Sequence, residues 1–412
     1  MDRRGRFAGL VLILGAVLSA AAGQTPPIVR TAVGYDFGVR LTFAATIFSA
    51  GEIVRAAVFY RPAGGSDTEV LLAELTPGTP TIARAVQDLR QRPLPPFRPI
   101  VYWWQVDFAD RTMVVTPEET FRYEDDRFVW QFLNEGRLAV HWVEGDLEFA
   151  RDALDAGASG LARLRSLLFL EPNRSIDIYL YPSIGDLESA LALTGRSWTA
   201  GHSDPSLSVI LLPIPPGPEA RLEFERLIPH ELTHLLLFER MGEGYAKLPA
   251  WMNEGLATTI ELSPDPRYRA ALEDAIAKRQ WLDLEGLCAA VPSSGAEAML
   301  AYAQSASLIG YLRDVYGAGS IVALLDAYQE GASCTGGLER VLRRSPRVLL
   351  QEWADYVQDE EEPGALGLVI AVMVALGAGS VTAWVVRRRR IRRRAAGRAA
   401  HDRRPGSGRA AS

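Results

Sequence analysis

Two histidines and a glutamate constrain this chain more than any other feature. In IPHELTHLLLFERMGEGYAKLPAWMNEGLATT, Ile228 to Thr259, His230 and His234 stand four apart, Glu231 lies between them, and Glu254 follows the second histidine by twenty residues. Side chains at i and i+4 share one helix face, so both imidazoles reach a common point only if this stretch is helical. A loop from Gly242 to Pro249 follows, and Pro249 suits the first turn of a second helix. Two packed helices with a short connection bring Glu254 across to the histidines. Imidazole nitrogens and a carboxylate oxygen are zinc ligands, and a catalytic zinc site takes three of them and leaves a fourth position for water. Glu231 projects beside such an ion instead of onto it, where a general base takes a proton from water. With five histidines in 412 residues, this spacing arises by chance in well under ~1% of chains. Pro229, directly before His230, removes a helical donor and leaves the carbonyl of Glu225 unpaired. Either the helix begins near Pro229 or it is bent there.

The two ends differ from the body. MDRRGRFAGLVLILGAVLSAAAGQ has three arginines, an apolar run and small residues near Ala22, the pattern of a secretory signal over residues 1–23. Its apolar run is short of the ~20 residues that a span needs, and the residues around Arg3-Arg4 fit twin-arginine export poorly. Gly364 to Val386 is 23 residues without a charge, enough to cross a bilayer, and RRRRIRRR (Arg387 to Arg394) follows at once. The positive-inside rule keeps residues 387–412 cytoplasmic, with the body exported, as a single-pass type I protein in the cell membrane. The ends hold 14 of the 44 basic residues and only 2 of the 50 acidic ones, so the body carries about −18. Binding of nucleic acid by charge is excluded, and the basic run reads as a stop-transfer signal in contact with anionic lipid. Export also favours a disulfide between the two cysteines, Cys288 and Cys334, with two buried thiols as the alternative.

An α+β plan is expected between the ends. Residues 27–125 are rich in short strand patterns such as RLTFAATIF, EIVRAAVFYRP and IVYWWQVDFAD, and Ile100, Tyr102, Trp104, Val106 and Phe108 alternate. Six or seven such strands predict a β-sandwich of immunoglobulin or fibronectin III pattern, serving as spacer or recognition module. From residue 127 to 360 the texture becomes a small α/β lobe followed by a helical one. RLAVHWV, SIDIYLYPS and LSVILLP read as strands, and DLEFARDALDAGASGLARLRSLLFL as a helix.

HELTH, LPAWMNEGLATT and AYAQSASLIGYL resemble the peptidase MA-like proteins within the gluzincin zinc metallopeptidases, over roughly Phe128 to Val357. The resemblance implies a Zn²⁺ site of His230, His234 and Glu254, Glu231 as base, and a peptide or protein substrate. YAQS, opening on Tyr302, stands where related aminopeptidases carry a tyrosine that stabilises the oxyanion, which implies the same role for Tyr302. The packing of its ring in the core is the bland alternative. No GxMEN-type element is present, so an endopeptidase is favoured over an aminopeptidase. The rival class is an inactive metallopeptidase-shaped binding or sensing ectodomain, but no ligand or base is missing.

Lesser candidates are His202, a turn residue or second donor; His141, structural in an apolar strand; and Thr233 and Glu261, outer partners of the metal ligands. The LSVILLP strand is a candidate edge for pairing with an extended peptide.

Overall fold

The computed structural model describes residues 27–192, 202–292 and 295–361. The expected signal segment, span and basic tail lie outside them. Among the described residues no single helix is long and apolar enough to cross a membrane.

Nine strands come first among the described residues: β1 (Ile28–Asp36), β2 (Arg40–Phe48), β3 (Ile53–Pro62), β4 (Glu69–Leu72), β5 (Glu74–Thr76), β6 (Thr81–Asp88), β7 (Pro99–Phe108), β8 (Met113–Val115) and β9 (Glu119–Arg122). They form one sheet in the order β1-β2-β6-β5 and another in the order β4-β3-β7-β8, with β9 also paired to β7. The alternation read in β7 holds: Ile100, Tyr102, Trp104, Val106 and Phe108 are all buried. They share one core with Leu41, Phe43 and Ile47 of β2 and with Ala56, Val58 and Tyr60 of β3.

A five-stranded sheet follows, in the order β10-β11-β12-β14-β13. Its strands are β10 (Gln131–Glu135), β11 (Leu138–Trp142), β12 (Ile176–Leu180), β13 (His202–Asp204) and β14 (Val209–Leu212), and β11, β12 and β14 run parallel. Period-two alternation divides its faces. Ile176, Ile178, Ile210 and Leu212 pack into the helical core. Tyr179, Val209 and Leu211 face the other way and join the core of the first two sheets. The strand expected to offer an open edge, LSVILLP, is therefore internal: β14 is paired on both sides, and β13 takes the edge. Sheet order is a tertiary property that the strand's own pattern does not carry.

Buried polar links cross the junction between the two regions. Asp125, fully buried, accepts from Tyr181 Oη at 3.1 Å and pairs with Arg127. Asp177 bonds His141 at 2.8 Å and Arg122 at 2.8 Å. His141 also stacks on Tyr179, ring centroids 4.3 Å apart, so the expectation of a structural histidine fits its surroundings.

Ten helices are described: α1 (Leu147–Leu168), α2 (Ile184–Leu191), α3 (Ala220–Met241), α4 (Ala250–Ile260), α5 (Pro266–Lys278), α6 (Leu284–Ala289), α7 (Gly295–Tyr311), α8 (Ala318–Gln329), α9 (Cys334–Leu342) and α10 (Pro346–Glu361). A β-sheet region followed by a helical domain is the α+β arrangement expected. Cys288 and Cys334 are joined, with Cα atoms 6.0 Å apart, tying the end of α6 to the start of α9.

Two glycines set the helix spacing around α3 and α4. A Cβ on Gly255 would stand 2.7 Å from the backbone oxygen of Ser305, so its absence lets α4 lie directly on α7. A Cβ on Gly160 would stand 2.9 Å from Cβ of Pro229, which seats α1 against the proline of α3.

Candidate metal centre

Helix α3 begins at Ala220 and continues through Pro229, so it does not start at the proline. The carbonyl that the proline frees is not orphaned: the backbone N–H of Leu262 donates to Glu225 O at 2.8 Å. His230 and His234 follow on one face, with ring centroids 5.0 Å apart and planes at 75°. After a 3₁₀ turn over Gly242–Lys247, α4 opens after Pro249 and carries Glu254 across. One Glu254 oxygen, Oε2, stands 3.4 Å from His230 Nε2 and 3.7 Å from His234 Nε2. One donor atom from each of the three lies within 4.8 Å of the others, a group able to hold a metal ion.

The outer nitrogens are already committed. Nδ1 of His230 donates to Oε1 of Glu261 at 2.9 Å, and Nδ1 of His234 to Oδ1 of Asn253 at 3.1 Å. With the outer nitrogens engaged in this way, Nε2 of each ring is the atom left to take a proton or a cation, and it faces Glu254. Tyr245 Oη also donates to Asn253 Oδ1, at 3.3 Å. Glu261 was among the residues expected as outer partners. Thr233 was too, but it is buried and turns its hydroxyl to the carbonyl of Pro229 in its own helix, 2.8 Å away. Asn253 and Tyr245 were missed. The signal for Asn253 was its place beside Glu254: a carboxamide on a helix flanked by Trp251 and Met252, both fully buried, has to find a partner.

Electrostatics favour a cation here. Burial lowers the His230 imidazole, but Glu254 and Glu261 outweigh it and push the pKa up to about 10. Burial raises the Glu254 carboxyl, yet His234 and His230 together hold it below its ordinary value. At Glu261, only 1% exposed, burial prevails over His230 and Arg226 and the pKa rises. The negative potential of these carboxylates is met by a proton on His230 or by a metal cation in its place.

Glu231 is 7% exposed, and among the described residues its carboxylate has no hydrogen bond or ion pair. Tyr302, on α7, has its ring centroid 6.2 Å from that of His230 and 6.0 Å from that of Tyr268. Burial first, then Glu254, Glu231 and Glu261, raise its phenol, so it stays protonated as a donor. His202 falls not in a turn but in β13, opposite Leu211.

Residues 156–359 match the family model described as the Peptidase MA superfamily. This stretch is a Peptidase MA superfamily domain. Membership points to a peptidase-type hydrolase, and the group of His230, His234 and Glu254 lies within the matched residues. No curated protein matches the chain. Solved structures with partial likeness include aminopeptidase A of Legionella pneumophila in complex with aspartic acid (12% identity, TM-score 0.32, 77% of this chain and 47% of that one). Others are the purple acid phosphatase PPD1 of yellow lupin, Lupinus luteus (11%, 0.21, 37% and 29%), and the vertebrate-specific Astrotactin-2 (9%, 0.22, 67% and 38%). The chain spans less than half the length of each, and overlaps this low carry no argument about the Peptidase MA domain.

Proposed function

We propose that the protein is a membrane-anchored, extracytoplasmic zinc metallopeptidase that cleaves peptide bonds within a chain. The observation that carries this reading is the convergence of three donor atoms whose outer nitrogens are already held by Glu261 and Asn253. Two imidazole nitrogens and one carboxylate oxygen are the donor set of a catalytic zinc. A zinc ion held there would supply Lewis-acid activation of water and of the scissile carbonyl.

The chain's own residues do the rest. Glu231, buried on the same helix one residue after His230, takes a proton from the attacking water and returns it to the leaving amine. Tyr302 donates a hydrogen bond to the charge that develops on the carbonyl oxygen, and its raised pKa keeps the proton available. Glu261 and Asn253 hold the imidazoles so that neither ring swings during turnover. The absence of a GxMEN-type element supports an endopeptidase, and the uncharged stretch 364–386 followed by Arg387–Arg394 supports the single span.

Elemental mass spectrometry on the full chain, purified in detergent, beside its Glu254→Ala variant tests the proposal. About one zinc per chain in the parent and far less in the variant is expected. No zinc in the parent after saturation and dialysis overturns it. Cleavage of a peptide library, abolished by Glu231→Gln with zinc retained, tests the chemistry.

A further inference from the structure

Pro229 sits in the middle of α3, one residue before a proposed ligand, where a proline removes a hydrogen bond and crowds the carbonyl one turn back. That carbonyl, Glu225 O, is turned to a partner on another element, the N–H of Leu262 at 2.8 Å. Leu262 directly follows Glu261, the residue that holds Nδ1 of His230. The same short segment is gripped at further points. Ser263 Oγ donates to Glu225 Oε2 at 2.5 Å, and Arg163 Nη1 of α1 donates to the carbonyl of Glu261 at 2.6 Å. The Pro229 ring itself is seated against Gly160 of α1, where no side chain fits.

We propose that Pro229 is a positioning residue of the metal centre. By withholding its own N–H it releases the Glu225 carbonyl, which anchors Leu262 and so fixes Glu261 against His230. The mid-helix proline and the outer carboxylate are then two ends of one device, and the freed carbonyl is its means. This role rests on the zinc reading above. A proline that merely shaped the helix would change folding stability without acting through Glu261.

The test is a double-mutant cycle on the full chain: Pro229→Ala, Glu261→Ala and both together. Zinc affinity is read by competition with a chelating dye, and exchange of the Leu262 amide proton by mass spectrometry. In the Pro229→Ala variant the helix regains a donor for Glu225 O, so Leu262 loses its sole claim on that carbonyl. Zinc binding is expected to weaken on the order of tenfold, as for other changes to outer partners, and Leu262 to exchange faster. In the Glu261→Ala background the same proline change should alter zinc affinity by less than about twofold, because the two act as one unit. Should Pro229→Ala disturb the seat on Gly160, Ser263→Ala loosens the same segment and is expected to weaken zinc in the same Glu261-dependent way.

Zinc bound equally well by the parent and Pro229→Ala overturns the proposal. An equal loss with and without the Glu261 side chain overturns it as well. A parent chain no better than Glu254→Ala at holding zinc sinks the zinc reading itself and this role with it, an outcome separate from the other two.

Discussion

The side-chain oxygen of Asn253 stands 3.1 Å from Nδ1 of His234, one residue ahead of Glu254 in the same helical turn. A single turn of α4 thus carries both a candidate ligand and the group that orients another one. Just past the far end of the same helix, Glu261 does this for His230. Both imidazoles are held from outside by one helix and its cap. Asn253→Ala is expected to weaken zinc binding about 10- to 100-fold without loss of fold. Chelator competition together with an unchanged far-ultraviolet circular dichroism spectrum checks it. An affinity within about twofold of the parent would mean the Asn253 contact does not set the ring.

Gly255 adjoins Glu254 and lies against Ser305 of α7, with no room for a methyl group. Gly255→Ala has to push backbone from backbone, so a loss of about 1–3 kcal/mol is expected from overpacking. Because α7 carries Tyr302, the same shift should lower activity more than it lowers zinc content. Urea unfolding and metal analysis on one preparation separate the two effects.

The convergence of His230, His234 and Glu254 was legible in the sequence because their spacing fixes a shared helix face and a second helix that reaches it. Its support was legible only in part. Glu261 was named only as a candidate outer partner beside Thr233, and its place at the end of the Glu254 helix emerged with the fold. Asn253 was overlooked because a lone carboxamide on a helix has no periodic signature. For Pro229 the sequence states what is lost, a donor to Glu225, but not who replaces it, since Leu262 lies far along the chain and meets the carbonyl only in the packed fold. Strand β10, QFLNE, was missed because as an exposed edge it shows no apolar alternation. The order of β13 and β14 was equally hidden, being decided by which strand finds space beside β12.

Asp177 sets a pH limit on the junction between the first two sheets and the Peptidase MA domain. Burial would raise its pKa, but His141 and Arg122 together lower it below the ordinary 3.8. A carboxylate depressed in the folded state contributes stability that is present above the unfolded pKa and lost as pH falls through the folded one. Asp177→Asn should therefore cost on the order of 2 kcal/mol at pH 7, the worth of hydrogen bonds to a charged group. The difference should shrink as pH falls below the unfolded carboxyl's pKa and on through the lower folded one, where the parent's own carboxyl becomes protonated. Calorimetric melting of both proteins from neutral pH down through that range checks it, and a constant gap would contradict it.

The disulfide closes a separation of 46 residues between α6 and α9. Replacing both cysteines by serine should cost about 4 kcal/mol in the chain-entropy account. Unfolding in urea with and without reductant measures it: the parent should fall to the level of the double variant on reduction, and the variant should not respond.

Tyr302→Phe isolates the phenol from the ring. The aromatic body still packs beside His230 and Tyr268, so zinc content and stability should stay near parental values. A donor aimed only at charge developing in the transition state affects turnover and leaves substrate binding nearly untouched. A fall in kcat of about 10²-fold, with KM within a factor of a few, is therefore expected. A phenol that served packing alone would leave kcat unchanged. If kcat and zinc content fell together, Tyr302 would instead be holding the centre in shape through His230.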